Sequence, residues 1–389
     1  MSLASLEWSG AAGGRRKRGF RGFVVDMPLL VILLAIVSLG LVVLYSAVSG
    51  NSGLGGTFTI DAEARDGVLR QCMRFAVGLA AFFVLAQIPP HYLRIFTPWT
   101  YLLGIGLLLA VAVEGQIGKG AQRWLDLGVV TFQPSELLKI AVPMMCAWFM
   151  HERRLPPTFP QLMVMGLIVF TPALLIADQP DLGTALLVVA GGAITILLAG
   201  ISVRLMLGFG VLGVAALPVL WAFMHDYQKA RVFTFLNPES DPLGTGYNII
   251  QSKIAIGSGG LFGKGWLNGS QSYLEFLPER STDFIFAVMA EEFGLLGLCL
   301  LVVLYLALVG RGLYIAAQAQ DTFTRLLAGA LSLTFFVYVF VNAGMVSGLL
   351  PIVGVPLPLV SAGGTSMVTL LAGFGILASI HGHRKLLAA

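Results

Sequence analysis

Three segments of the chain combine residue types that do chemistry with a setting that is expensive for them. The first runs Glu275-Phe276-Leu277-Pro278-Glu279-Arg280-Ser281-Thr282-Asp283 and passes straight into an apolar run. Ser281 or Thr282 is placed to cap the helix that follows, with Asp283 in its first turn, where the helix dipole favours a carboxylate. The other role open to Asp283 is that of a base at the boundary between membrane and water. Glu291 and Glu292 follow deeper in the same run. A carboxylate pair in an apolar span needs a partner. It serves either a proton relay or a hydrogen-bonded cluster bracing a kink at Gly294.

The second segment runs from Gly120 to Lys139 and holds Arg123, Trp124, Glu136 and Lys139. Pro134 suits a helix start, and Glu136 and Lys139, three apart, share one helix face. They form either an ion pair that lets both charges tolerate the bilayer edge or part of a polar site. Trp124 is either an interfacial anchor or a platform for substrate. The third segment joins Asn342-Ala343-Gly344-Met345 to an apolar stretch, 350–366, with Pro351, Pro356, Pro358, Gly363 and Gly364. Its prolines preclude regular helix. Irregular backbone this apolar must be buried in protein or line a cavity, so a re-entrant loop is expected. Resemblances to other motifs fail. Gly263-Lys264 lacks the rest of a phosphate loop, and there is no Cys-x-x-Cys or His-Glu-x-x-His.

The elements that position these residues are membrane helices. Of the 389 residues, 57% are apolar and 11% charged, far from the balance of a soluble domain. Ten stretches approach the roughly 20 apolar residues a bilayer span needs, at about 27–48, 70–88, 98–114, 135–151, 161–177, 182–200, 204–224, 283–310, 326–349 and 366–381. The two shortest, 98–114 and 135–151, require Trp99, Tyr101 and Trp148 as interfacial anchors. The fold class is an all-α polytopic membrane protein of ten transmembrane helices with a large periplasmic loop, 225–281, between spans seven and eight. Residues 1–22 form a basic cytoplasmic tail, and 23–389 form one membrane domain. Arg15-Arg16-Lys17-Arg18 precedes an apolar run too long for a cleaved signal, so the first helix is expected to stay. Lys and Arg bias places both termini in the cytoplasm. Within the long loop, Tyr247 to Ile254 has helical spacing and stops at Gly257, which predicts a short helix on the membrane surface. Arg123, Lys139, Arg231, Lys253 and Arg280 gather with the carboxylates on the outer side. Such cations suit an anionic headgroup such as a pyrophosphate. Charge is too scattered for a nucleic-acid partner.

At these segments the chain resembles the SEDS family (shape, elongation, division and sporulation proteins). The shared runs are Gly120 to Lys139, Gln179 to Thr184, His225 to Gln228, Asn237 to Gly265, Leu277 to Glu292 and Val346 to Gly364. Gln251–Gly260 and Phe276–Arg280 look closer to the elongation branch than to the division branch. The resemblance implies a bacterial inner-membrane peptidoglycan glycosyltransferase that polymerises lipid II during cell elongation. It joins disaccharides on the outer face and releases undecaprenyl pyrophosphate. It implies that Asp283 is the essential aspartate, that Trp124, Glu136 and Lys139 are functional, and that the partners are a class B penicillin-binding protein and other elongation proteins. Ser281 stands where His is common, and Ala362 where Tyr is common. The expected mechanism has Asp283 activating the acceptor 4-hydroxyl for inverting attack, while cations neutralise the departing pyrophosphate. A divalent cation, Mg or Mn, would serve the same task, although no ligand spacing demonstrates one. A lipid-precursor flippase using Glu291 and Glu292, or a non-enzymatic scaffold of a cell-wall synthase, are the competing readings.

Overall fold

A computed structural model describes residues 25–49, 62–118, 121–126, 128, 131–224, 226–240, 245–270 and 279–384. The basic tail and the first part of the Asp283 segment, Glu275 to Pro278, lie outside the described residues. Helices α1 (Met27–Val48), α2 (Ala62–Gln87) and α3 (Pro90–Glu114) lead into strands β1 (Gln116–Gly118), β2 (Ala121–Asp126) and β3 (Thr131–Phe132). Helices α4 (Pro134–Met150), α5 (Phe159–Asp178), α6 (Leu182–Leu198) and α7 (Val203–Phe223) follow. Then come α8 (Asp226–Leu236), α9 (Thr245–Gly259), α10 (Ile285–Ala317), α11 (Thr322–Val346) and α12 (Thr365–Gly382).

Helices α1 to α7 and α10 to α12 overlap the ten expected stretches, with α2 and α3 each starting eight residues earlier and α10 ending seven residues later than expected. Seven of them are long and apolar enough to cross a bilayer among the described residues, which makes this a multi-pass membrane protein. Local chemistry sets their ends. Pro90 and Pro134 stand at first-turn positions, where the missing N–H costs nothing. Asp26, Asp181 and Asp321 accept from backbone N–H groups of α1, α6 and α11. Starting at Pro90 makes α3 25 residues long. It therefore needs no aromatic anchor at Tyr101. That residue is buried instead, and its hydroxyl donates to Ile168 O on α5 at 2.9 Å. Trp99, the other expected anchor on this helix, is exposed, at 69%. The short α4 is central, packed by α3, α5, α6 and α11.

Two expectations are corrected, the purely helical fold and the capping of α10. Strands β1, β2 and β3 form an antiparallel sheet in that order between α3 and α4. The described residues of 225–281 form more than the one short helix expected there. They contain α8, a 3₁₀ turn at Pro238–Ser240, and α9, which covers the helix expected from Tyr247. Neither Ser281 nor Thr282 caps α10. Its N-cap is Phe284, with no side-chain bond, and Asp283 precedes the helix.

The Glu291–Glu292 pair braces a kink. Gly294 breaks α10 at φ 64° and ψ −163°, a conformation reserved for glycine. The broken ladder is repaired by the segment after α9. Lys264 N donates to Glu291 O at 2.9 Å and Gly265 N to Glu292 O at 3.0 Å, while Leu295 N and Leu296 N donate back to Gly260 O and Leu261 O at 3.0 and 3.1 Å. The side chains reinforce this. Glu291 Oε1 accepts from Lys264 Nζ at 2.6 Å and from Ser270 Oγ at 3.0 Å. Glu292 accepts from Ser46 of α1, and Trp266 Nε1 donates to Val42 O at 3.1 Å. A Cβ at position 294 would run into Gly263 N, whereas one at Gly310 on the same helix meets open space. Gly294→Ala is therefore expected to destabilise by about 1–3 kcal/mol or more. Gly310→Ala should be neutral or stabilising by up to about 1 kcal/mol. Thermal melting of the purified protein in detergent checks the opposite signs.

Candidate active site

Between α11 and α12 the chain runs irregularly from Ser347 to Gly364. Val355, Leu357, Leu359, Val360 and Ser361 are buried, so this is the expected re-entrant segment enclosed by protein. Its backbone is satisfied from several directions. Tyr305 OH donates to Pro358 O at 2.6 Å. Gln71 of α2 donates to Ser361 O at 3.2 Å and accepts from Gly363 N at 3.4 Å. Leu357 N donates to Ser361 Oγ at 2.7 Å.

This segment holds the turn that carries Asp283. Thr282 N and Phe284 N both donate to Glu279 O, at 3.0 and 3.3 Å, closing the turn. Thr282 Oγ1 donates to Glu279 Oε2 at 2.6 Å. Three successive carbonyls are then taken from outside. Ala362 N donates to Ser281 O at 2.8 Å, Ser361 Oγ to Thr282 O at 2.5 Å, and Asn342 Nδ2 to Asp283 O at 3.0 Å. The same Asn342 amide donates to Val355 O at 2.7 Å. The Asp283 side chain is half-buried, with Oδ2 beside Gly354, 3.6 Å from where a Cβ would stand.

A second polar group sits one turn back along α11. Lys139 Nζ lies 2.8 Å from Glu136 Oε1, with the two side chains only 9% and 6% exposed. The ammonium is 4.7 Å from the centre of the Tyr338 ring and 3.5 Å from its hydroxyl, which pairs with Ser366 Oγ of α12 at 3.0 Å. Glu136, Lys139, Thr334 and Tyr338 line a small pocket with Leu187, Phe335 and Phe374. Glu136 Oε2 and Thr334 Oγ1 have no partner among the described residues. Tyr338 and Asn342 are four apart on one helix, so α11 links the Lys139 pair to the Asp283 turn.

The other sequence candidates are placed as follows. Arg123 is half-buried and spends two bonds on the carbonyls of Gln179 and Pro180. This secures the turn before α6, where Gln133 also donates to Asp181 at 2.8 Å. Trp124 is half-buried on β2, opposite Gln116. Arg231 lies on α8, and Lys253 lies exposed on α9 with its ammonium end against Gly348 of the re-entrant segment. Arg280 is half-buried in the Asp283 turn. Among the described residues no three His, Cys, Asp or Glu side chains gather as a metal-ligand set. Asn342 and Ser361 lie in the third segment singled out from the sequence, but their bonds to the turn were not foreseen, and Gln71, which holds the re-entrant segment, was not picked out at all. Each acts on backbone far away in sequence, which local spacing does not reveal.

Comparison with known proteins follows the same outline. Residues 27–386 match the model of the FtsW, RodA and SpoVE family, described as cell cycle proteins. The peptidoglycan glycosyltransferase MrdB of Escherichia coli K12 is 54% identical over 366 residues, spanning 94% of this chain and 95% of that one. Stage V sporulation protein E of Bacillus subtilis is 33% identical, over 91% of this chain and 96% of its own. Among solved structures, one of a peptidoglycan synthase complex that coordinates polymerization and crosslinking contains a chain matching with a TM-score of 0.77. It is 31% identical, over 92% of this chain and 97% of that one. The rod shape determining protein RodA of Thermus thermophilus matches with a TM-score of 0.69 at 28% identity, over 94% of this chain and 99% of that one. A membrane bundle with this re-entrant segment, matched along nearly its whole length, belongs to the FtsW, RodA and SpoVE family of cell cycle proteins, the SEDS family.

Proposed function

We propose that this chain is a peptidoglycan glycosyltransferase that polymerises lipid II into glycan strands. The observation that carries the proposal is the half-buried Asp283 carboxylate on a turn whose backbone is held by a buried re-entrant segment, in a chain 54% identical to a peptidoglycan glycosyltransferase. Asp283 orients and deprotonates the 4-hydroxyl of the acceptor sugar. That oxygen attacks the anomeric carbon of the donor, the bond to the pyrophosphate breaks, and the configuration inverts. Undecaprenyl pyrophosphate leaves as an anion, so cations rather than a general acid assist it. Arg280 on the Asp283 turn, Lys253 beside the re-entrant segment and Arg231 on α8 meet the pyrophosphate, while Arg123 holds the carbonyls of Gln179 and Pro180. Trp124 borders the substrate path, and Glu136 and Lys139 set the electrostatics of the pocket beside it.

All ten apolar helices span the bacterial inner membrane, with both termini cytoplasmic and Asp283 at the outer face. The 225–281 region projects into the periplasm, and a class B penicillin-binding protein crosslinks the strands. The flippase reading loses its main support, because Glu291 and Glu292 are occupied in bracing the Gly294 kink. Purified protein with its penicillin-binding partner, given labelled lipid II in detergent, tests the proposal. Glycan strands and released undecaprenyl pyrophosphate support it. Intact lipid II after prolonged incubation of a correctly folded, partner-bound protein would leave a scaffold.

A further inference from the structure

We infer that Asn342 is a positioning residue for this reaction, an amide clamp that fixes the backbone of Asp283 against the re-entrant segment. The inference rests on the glycosyltransferase reading above. Asn342 is fully buried in α11. Both hydrogen-bond partners of its Nδ2, Asp283 O and Val355 O, are carbonyls. Only the NH₂ end of the amide can face two acceptors, so its orientation is dictated by chemistry. Each of the two protons is used, one on the turn that carries the carboxylate and one on the buried segment beneath it. Position 283 has no helix to hold it, because α10 begins two residues later and its N-cap has no side-chain bond.

Without Asn342, Asp283 O would lose its donor while Ala362 N and Ser361 Oγ still held Ser281 O and Thr282 O. The backbone dihedrals at 283, and with them the direction of its Cα–Cβ bond, would loosen. A displacement of about 1 Å at a reacting group can cost about 10²-fold in rate. The buried Oδ1 of Asn342 has no partner among the described residues. The residue's bonding is therefore invested in this clamp at the expense of its own acceptor. Nothing in the motif spacing required an amide here, since an apolar residue would fill a buried α11 position more cheaply.

The full-length protein with its penicillin-binding partner, assayed over a range of labelled lipid II concentrations, tests this. Asn342→Leu keeps the volume and removes both donors, Asn342→Asp keeps the shape, and Asn342→Gln keeps the NH₂. Asn342→Leu is expected to lower kcat about 10²-fold with KM within about twofold, compared at equal folded concentration and with partner binding near the parental value. Asn342→Gln should recover at least about tenfold of that loss. If the Leu protein does not fold, the Asp and Gln proteins carry the comparison, with Asp slow and Gln faster. Parental kcat in Asn342→Leu or Asn342→Asp overturns the clamp, as does a Gln protein no faster than the donor-free variant. Asp283→Ala run in parallel separates the two claims. If Asp283→Ala polymerises normally, the catalytic reading itself is wrong. If it is inactive while Asn342→Leu is parental, only the clamp is.

Discussion

Lys139→Met is expected to destabilise the protein by about 3–5 kcal/mol, because it strands the Glu136 carboxylate in a site from which water is nearly excluded. Glu136 Oε1 and Lys139 Nζ are 2.8 Å apart with both side chains below a tenth exposed. Glu136 Oε2 has no partner among the described residues, so the ammonium is the main compensation for that charge. Methionine would also lose the contact with the Tyr338 ring, worth about 0.5–2 kcal/mol in such settings. The double variant Lys139→Met, Glu136→Gln removes both charges and should regain most of the loss, since a buried ion pair often adds little net stability over neutral residues. Melting curves in detergent read this directly. A single variant as stable as the parent would mean that water reaches the pair. Because Lys139 contacts Tyr338, one turn along α11 from the Asn342 that bonds Asp283 O, the double variant should fold and still polymerise poorly. That separates the structural from the electrostatic contribution.

The second large effect concerns the carboxylate itself. Asp283→Asn keeps the shape of the side chain but removes the proton acceptor, and a positioned base contributes about 10²–10⁴-fold. The turn is held through its backbone, by Ala362 N on Ser281 O, Ser361 Oγ on Thr282 O and Asn342 Nδ2 on Asp283 O, and these bonds survive a change of the side chain at 283. The substitution should therefore leave fold and partner binding intact. Asp283→Glu keeps the charge one methylene further out. With Gly354 close to Oδ2 and the turn fixed, the longer side chain cannot recover the same position. Its rate should fall between parent and Asn, by about 10–10²-fold. Initial rates of lipid II consumption rank the three. An Asp283→Glu protein slower than Asp283→Asn would argue for a steric rather than a basic role.

The helical frame was legible because a membrane span declares itself through a sum over about 20 residues, which tolerates local errors. Hence α1 to α7 and α10 to α12 overlap the ten expected stretches. The re-entrant segment was legible because three prolines and a Gly-Gly pair exclude helix while the composition excludes water. The start of α3 was missed by eight residues, because Pro90 opens a helix that Pro98 does not end. The sheet was missed because its strands are short and do not alternate cleanly. The roles of Glu291 and Glu292 were narrowed only by structure, since Lys264, Ser270 and Ser46 reach them from other elements. The candidate site was half legible. Asp283, Glu136 and Lys139 stand out as costly charges, but Gln71 and Ser361, 290 positions apart, meet only in the fold.

One measurement bears on the proposed catalysis more directly than any other: the length distribution of strands formed from labelled lipid II by Asp283→Asn in complex with its penicillin-binding partner, beside the parent at equal folded concentration. Loss of at least about 99% of polymerised label is expected, with melting temperature and partner binding unchanged. Strands of parental length and yield from Asp283→Asn would contradict the assignment of the base.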